Sequence, residues 1–286
     1  MGFHKAIGGR LRAGNKAGQA GFGAAQGNRA GRWSGTIPTA YWKVEGADTD
    51  STTLLDVSKA GNGLNGTLGG TVNETAGATQ TWNASNAAPG SSQCLYFNGT
   101  DNKVVVPYNA ALKFSNTTKK MTIAMWVKAS DEAQHRYLLA ADEDEASATS
   151  GWVYLIIGGT GAGATADKAA SYWYSGAGAG WRSSTSDVND DEWHQLVFSI
   201  EPDGGTLSIK IYVDGVLETT NTSQSGNLTV ANVPILIGYR ADGAKYYKYY
   251  MDEIAYWTDV CLTAKQIKDM YNNGQVANSY AGIRRG

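Results

Sequence analysis

The chain has 286 residues, with 36 glycines, 5 prolines, 17% charged residues and a net charge of −2. A hydrophobic content of 42% argues against disorder throughout, and the glycines lack the three-residue period of collagen. No run approaches the ~18 apolar residues of a membrane-spanning helix, and two cysteines are too few for a disulfide scaffold or a four-thiolate zinc site.

The net charge averages two unlike parts. Residues 1–35 hold six basic groups (Lys5, Arg10, Arg12, Lys16, Arg29 and Arg32) and no acid. The rest of the chain carries 18 basic and 26 acidic groups, a net of −8. Ten of the first 35 residues are glycine. Such a segment buries too little apolar area to offset its ordering entropy, so alone it should be a coil. It also lacks the roughly 7–15-residue apolar core of a secretory signal. Residues 1–39 therefore read as an extended basic arm, with Lys5, Arg10, Arg12, Arg29, Arg32 and Trp33 as its contact residues. Arms of this kind suit docking on partner subunits. Six charges spread over 35 residues make a weak footprint for nucleic acid. A disordered tail is the alternative.

From Tyr41 onward, short apolar runs alternate with Gly, Asn, Asp, Ser and Thr clusters. Residues 121–128, 152–157, 193–200, 206–213, 234–239 and 246–257 read as strands. In 206–213, Ile209, Ile211 and Val213 share one face, and Ser208, Lys210 and Tyr212 share the other. Asp203-Gly204-Gly205 and Asp214-Gly215 supply hairpin turns, where glycine tolerates positive φ. The pattern predicts an all-β antiparallel sandwich. One helix follows: Thr263 and Gln266 form a capping box, and Ile267, Met270 and Tyr271 form its apolar stripe. Asn273-Gly274 is the expected stop. This leaves residues 40–276 as one domain and 277–286 as a tail.

Several segments, read in order, carry a resemblance. Residues 56–68 are DVSKAGNGLNGTL and 95–107 are LYFNGTDNKVVVP. MTIAMWVK at 121–128, EWHQLVF at 192–198 and IYVDG at 211–215 follow, then ILIG, MDEIAYW and the helix. Together they resemble the laminin-G-like, concanavalin-A-like lectin/glucanase jelly rolls. Asn98 departs from the family pattern, which has Asp there. The resemblance implies a jelly roll with one short C-terminal helix. Members bind sugars, bind proteins or serve as inert building blocks, and some occur on bacteriophage virion proteins. Fold does not decide among these.

Candidate chemistry is sparse. The Glu-x-Asp-x-Glu strand of the family's retaining glucanases is missing, as are a serine-nucleophile elbow and a metal-binding histidine pair. No enzymatic activity is expected. His194 falls in the family's structural W-H strand. The resemblance also places calcium on rim loops, with Asp142, Asp144 and Asp242 in comparable places. An ion near Asp56, Asp101 or Asp252 is a second option, and a solvated acidic turn at 142–145 a third. For sugar stacking, the candidates are Tyr239, Tyr246, Tyr247, Tyr249 and Tyr250, with Trp173 and Trp181 on the 171–182 segment. In a strand, Tyr247 and Tyr249 face opposite to Tyr246 and Tyr250, so one pair faces outward. Tyr239, Tyr247, Tyr249, Trp173 and Trp181 are preferred. Core packing or a subunit contact would use the same residue types. Cys94 and Cys261 are either disulfide-bonded or two free buried thiols.

The expectation is a non-enzymatic structural protein of a bacteriophage particle, in its capsid decoration, tail or fibre. Its partners would be other virion proteins and copies of itself through residues 1–39, with host-surface glycans on the jelly roll. A cellular or extracellular carbohydrate-binding lectin is the alternative.

Overall fold

A computed structural model describes residues 36–43, 53–58, 60–69, 88, 91, 94–130, 135–143, 151–159, 163–175, 180–240 and 245–280, the helix side chains only as far as 272. The arm residues Lys5, Arg10, Arg12, Arg29, Arg32 and Trp33, and the calcium candidates Asp144 and Asp242, lie outside the described residues.

Among the described residues, seventeen strands, one 3-10 turn (Ala110–Leu112) and one α-helix follow in chain order. The first strands are β1 (Ala40–Trp42), β2 (Thr53–Leu54), β3 (Gly66–Leu68), β4 (Leu95–Asn98), β5 (Val104–Val106) and β6 (Met121–Lys128). Next come β7 (Arg136–Ala141), β8 (Val153–Ile157), β9 (Lys168–Trp173), β10 (Trp181–Asp187), β11 (Trp193–Asp203) and β12 (Thr206–Val213). The series ends with β13 (Val216–Gln224), β14 (Ile235–Ile237), β15 (Tyr239–Arg240), β16 (Lys245–Tyr246), β17 (Lys248–Thr258) and α1 (Ala264–Tyr280). One sheet runs β1-β17-β6-β11-β12-β13, with β4 also paired to β17. The other runs β10-β9-β8-β7-β14-β5-β3-β2. Every pairing between strands is antiparallel, so the expected sandwich forms.

The main core lies between the sheets. It is filled by inward residues such as Phe97, Met121, Phe198, Ile211, Leu155 and Trp173. The period-2 alternation of each strand then decides what its outer face shows. On β8, Val153, Leu155 and Ile157 enter this core, while Tyr154 and Ile156 face outward. The outer face of the first sheet is apolar too, and α1 covers it. Leu262, Ile267 and Met270 pack there on Ala124, Val197, Tyr212 and Trp257. The capping box forms as read, with Thr263 and Gln266 bonded reciprocally. The helix nevertheless runs past Asn273-Gly274 into the segment read as a tail. An interior glycine costs about 1 kcal/mol relative to alanine, too little to stop a helix docked by its first turns.

The turn motifs have concrete work. Asp56 accepts the backbone N–H groups of Tyr41, Ser58 and Leu64 and so folds the 56–68 segment onto β1. Asn98 accepts the amides of Thr100, Asp101 and Asn102, and its own amide donates to Asp101 at 2.6 Å. The amide therefore organises this turn as a carboxylate could, and adds a donor. Asp214 and Gly215 have φ of 52° and 75° at the β12–β13 hairpin. Gly238 shapes the outer face of the second sheet. Its φ is 75°, and a Cβ there would fall 2.2 Å from the Phe97 ring. It diverts the chain out of β14 into the separate β15–β16 hairpin. Cys94 and Cys261 are both free thiols.

His194 ties two turns together. Its Nδ1 lies 2.8 Å from Asp214 and its Nε2 lies 3.0 Å from Asp190. Burial opposes its charge, but both carboxylates outweigh burial and lift its pKa from 6.5 to about 9. A raised folded-state pKa gives stability that is full below the unfolded value and is lost as pH rises through the folded one. Stability should therefore fall by about 2 kcal/mol between pH 6.5 and 9, after discounting for the half-exposed Asp190. Denaturant midpoints across that range measure it, and His194→Gln should flatten the slope.

Candidate functional site

The second sheet has an apolar outer face without a helix over it among the described residues. Tyr137, Ala140, Tyr154, Ile156, Ala170, Leu236 and Tyr239 form a cluster there. The β15–β16 hairpin covers the end nearest β7, stacking Tyr239 on Tyr246 at 4.6 Å. No described residue covers the β8–β10 end.

Register builds the open part. Tyr154 on β8 pairs with Tyr172 on β9, and Tyr172 pairs with Trp181 on β10. The three side chains share the outer face, with ring centroids 6.0 and 5.3 Å apart. Tyr174, two residues past Tyr172, stacks 6.5 Å from it and is 41% exposed. Gly151, Tyr154, Tyr172, Tyr174, Trp181 and Arg240 line a cleft of about 310 Å³. Gly151 is required, because a Cβ there would lie 1.9 Å from the Tyr154 hydroxyl. The far end of β10 is pinned to β13 by Glu218. That carboxylate accepts the Thr185 and Ser186 amides at 2.9 Å and both their hydroxyls. Burial opposes its charge, but these bonds hold its carboxyl below the ordinary glutamate value.

One wall of the cleft is polar. Arg240 lies over the Tyr154 ring at 4.4 Å, and its Nη1 donates to the Tyr137 hydroxyl at 3.0 Å. Asp142, fully buried, accepts from Arg240 Nε at 3.3 Å and from the Tyr154 hydroxyl at 3.0 Å. Burial pushes the Asp142 carboxyl up, against the pull of Tyr154, the Glu143 amide and Arg240. Burial, then the Asp142 charge, pushes the Tyr154 phenol up as well, so it stays a donor. His135 sits 6.0 Å from Trp181, accepts the Gly159 amide and is held neutral by burial and by Lys245.

Of the sugar candidates, only Trp181 reaches this cleft. Trp173 is fully buried because it faces inward on β9, while Trp181 starts β10 facing outward. Tyr247 is also fully buried: its ring packs on Phe97 and its hydroxyl donates to the Lys128 carbonyl. Tyr239 is 7% exposed under Lys103 and Tyr246. Tyr249, at φ 96°, packs against the main core. Of the tyrosines at 246–250, the opposite pair, Tyr246 and Tyr250, faces outward. Tyr154, Tyr172, Tyr174 and Arg240 were missed. The outward parity of Tyr154 was available in the alternation of 152–157; the row across three strands was not. Asp142 is engaged by Arg240 and Tyr154, and the other calcium candidates, Asp144 and Asp242, lie outside the described residues. No group of three or more His, Cys, Asp or Glu is placed to hold a metal among the described residues. Asp56 and Asp101 are taken up by turns, and no described helix is long and apolar enough to cross a membrane.

Two antiparallel sheets packed face to face, capped by one helix on a single outer face, define a concanavalin A-like jelly roll. The chain belongs to the concanavalin A-like lectin/glucanases superfamily, whose laminin G-type pattern matches residues 98–268. No curated protein sequence matches it. Among solved structures, the binding domain of Paraclostridial mosquitocidal protein 1 aligns with a TM-score of 0.60 at 11% identity, over 83% of this chain and 52% of that one. Domain 4 of AbnA, an extracellular arabinanase from Geobacillus stearothermophilus, solved with arabinotriose, aligns at 0.54 and 18%, over 82% and 98%. The ligand-binding domain of botulinum neurotoxin serotype D, solved with N-acetylneuraminic acid, aligns at 0.56 and 9%, over 82% and 50%. The chain thus spans about half of the toxin binding domains it matches. At such identities the likeness is one of fold.

The Arg240–Asp142 contact gives a stability test. Removing the cation leaves a carboxylate buried without its partner, so Arg240→Ala should lose about 3 kcal/mol in urea denaturation. Adding Asp142→Asn should recover part of that loss, because the neutral amide needs no cation.

Proposed function

We propose that this chain is a carbohydrate-binding module without hydrolytic activity. The observation that carries this reading is the open row Tyr154–Tyr172–Trp181 with Tyr174 beside it. Flat aromatic faces stack on the C–H faces of sugars, and a few placed polar groups fix orientation. Arg240 and the phenol hydroxyls supply the polar groups here. Among the described residues, the cleft's lining contains no carboxylate, whereas glycoside hydrolysis generally uses two. The arabinotriose and N-acetylneuraminic acid complexes of structural neighbours add weight.

Glycan-array screening of the full chain, followed by calorimetry on the strongest hit, tests the reading. Trp181→Ala and Tyr174→Ala should each weaken binding about tenfold, a typical loss for a truncated aromatic contact. Unchanged circular dichroism would separate that loss from misfolding. Binding that ignores both substitutions would move the site elsewhere, and release of reducing sugar would overturn the non-enzymatic part.

A second reading concerns display, and we propose that the module is carried on a virus particle, most simply that of a bacteriophage. Two observations favour a tethered module. Residues 1–35 hold six basic groups and no acid, against a net of −8 for the rest. Residue 36 lies on the helix side: the Trp257 indole donates to the Thr36 carbonyl, and Gln266 donates to the Thr36 hydroxyl. The cleft occupies the opposite outer face. If the arm is the anchor, the full chain should co-sediment with particles and a chain lacking residues 1–39 should not. Equal co-sedimentation would remove the arm from that role.

A further inference from the structure

The cleft's charge is less balanced than its residues suggest. Arg240 and Asp142 form a pair, yet their exposure differs: 20% of the Arg240 side chain reaches solvent and none of Asp142 does. Among the described residues, the cation lines the cleft while the carboxylate it pairs with, Asp142, lies beneath it. Guanidinium and carboxylate are therefore not presented equally to a ligand. Lys245, directly opposite Arg240 in the β15–β16 register, adds a second cation on the same hairpin. The guanidinium is also held in place, over Tyr154 at 4.4 Å and against the Tyr137 hydroxyl. A pre-oriented planar guanidinium matches the fork of a carboxylate better than it matches a single sugar hydroxyl. Beside it, Tyr172, Tyr174 and Trp181 provide ring faces.

Resting on the carbohydrate-binding reading, we propose that this cleft selects acidic sugars, seating the ligand's carboxylate at Arg240 and its ring on Tyr172, Tyr174 and Trp181. The net of −8 beyond the arm disfavours loose adsorption of polyanions on the body. Selectivity at this site then comes from contact rather than from long-range steering.

The test compares ligands that differ only in charge. Tetragalacturonate and its methyl ester form one pair, and sialyllactose and its methyl ester form another, each titrated calorimetrically into the full chain. The acid should bind at least about tenfold tighter than its neutral counterpart in one pair or both, as expected for a charge-assisted contact. The pair that responds distinguishes a uronate from a sialate. Because the contrast lies in the ligand, it holds even if an Arg240 variant folds poorly. Where Arg240→Gln is folded, it should erase the preference; Tyr174→Ala should weaken acid and ester alike and leave the ratio intact. Equal binding within both pairs overturns the acidic-sugar class but leaves carbohydrate binding standing. Binding to no saccharide overturns both. A preference that survives Arg240→Gln overturns the role given to Arg240.

Discussion

Each sheet of this sandwich carries an apolar patch on its outer face as well as an apolar inner face, and that constraint organises the rest of the molecule. A strand that alternates inward and outward residues normally gives one face to the core and one to water. Here β8 offers Tyr154 and Ile156 outward, and β6 and β11 offer Ala124 and Val197. Each outer face therefore needs cover. The first sheet receives α1, whose Leu262, Ile267 and Met270 close over it. The second receives, among the described residues, a two-stranded hairpin thrown out of the sheet at Gly238. What that hairpin leaves uncovered is made of Tyr and Trp, side chains that tolerate water at one edge and apolar contact on the face. The cleft is in this sense the part of a hydrophobic surface that the chain leaves to something else.

The buried carboxylate arises from the same arrangement. Asp142 ends β7 where the hairpin crosses, out of reach of solvent, and a carboxylate there requires a positive partner. Calcium and a guanidinium both meet that need, and an acidic run in a sequence does not say which. The hairpin supplies Arg240, which lies 98 positions further along the chain. An ion pair of this kind is weak evidence for stability, since well-packed apolar residues often do as well. Its distinct consequence is placement: Asp142, Tyr137 and Tyr154 together hold one guanidinium at the wall of an aromatic cleft.

Legibility divides along the same line between local and long-range information. The sandwich, the capping box and the hairpins at 203–205 and 214–215 were readable, because each depends on neighbours within a few residues. The order of the family segments carried the fold. The site was not readable in that way. Trp173 and Trp181 were read as one segment, but they sit on separate strands, so parity could not be counted from one to the other. At 246–250 the alternation was counted correctly. The direction came out reversed because it depends on Phe97, from a strand about 150 residues earlier, packing against Tyr247. Tyr154, Tyr172 and Trp181 meet through strand register, which no single segment encodes.

The two outer faces also keep the two proposed roles apart. Residue 36 is bonded to Trp257 and Gln266, on the side closed by the helix. The aromatic row faces the other way, with two sheets and the main core between. A ligand on the second sheet and an attachment through the first would not compete for surface. Thr36, which follows the six basic groups of residues 1–35 in the chain, sits on the side remote from Arg240. The described start of the jelly roll, Thr36, and the aromatic cleft beside Arg240 thus lie on opposite outer faces.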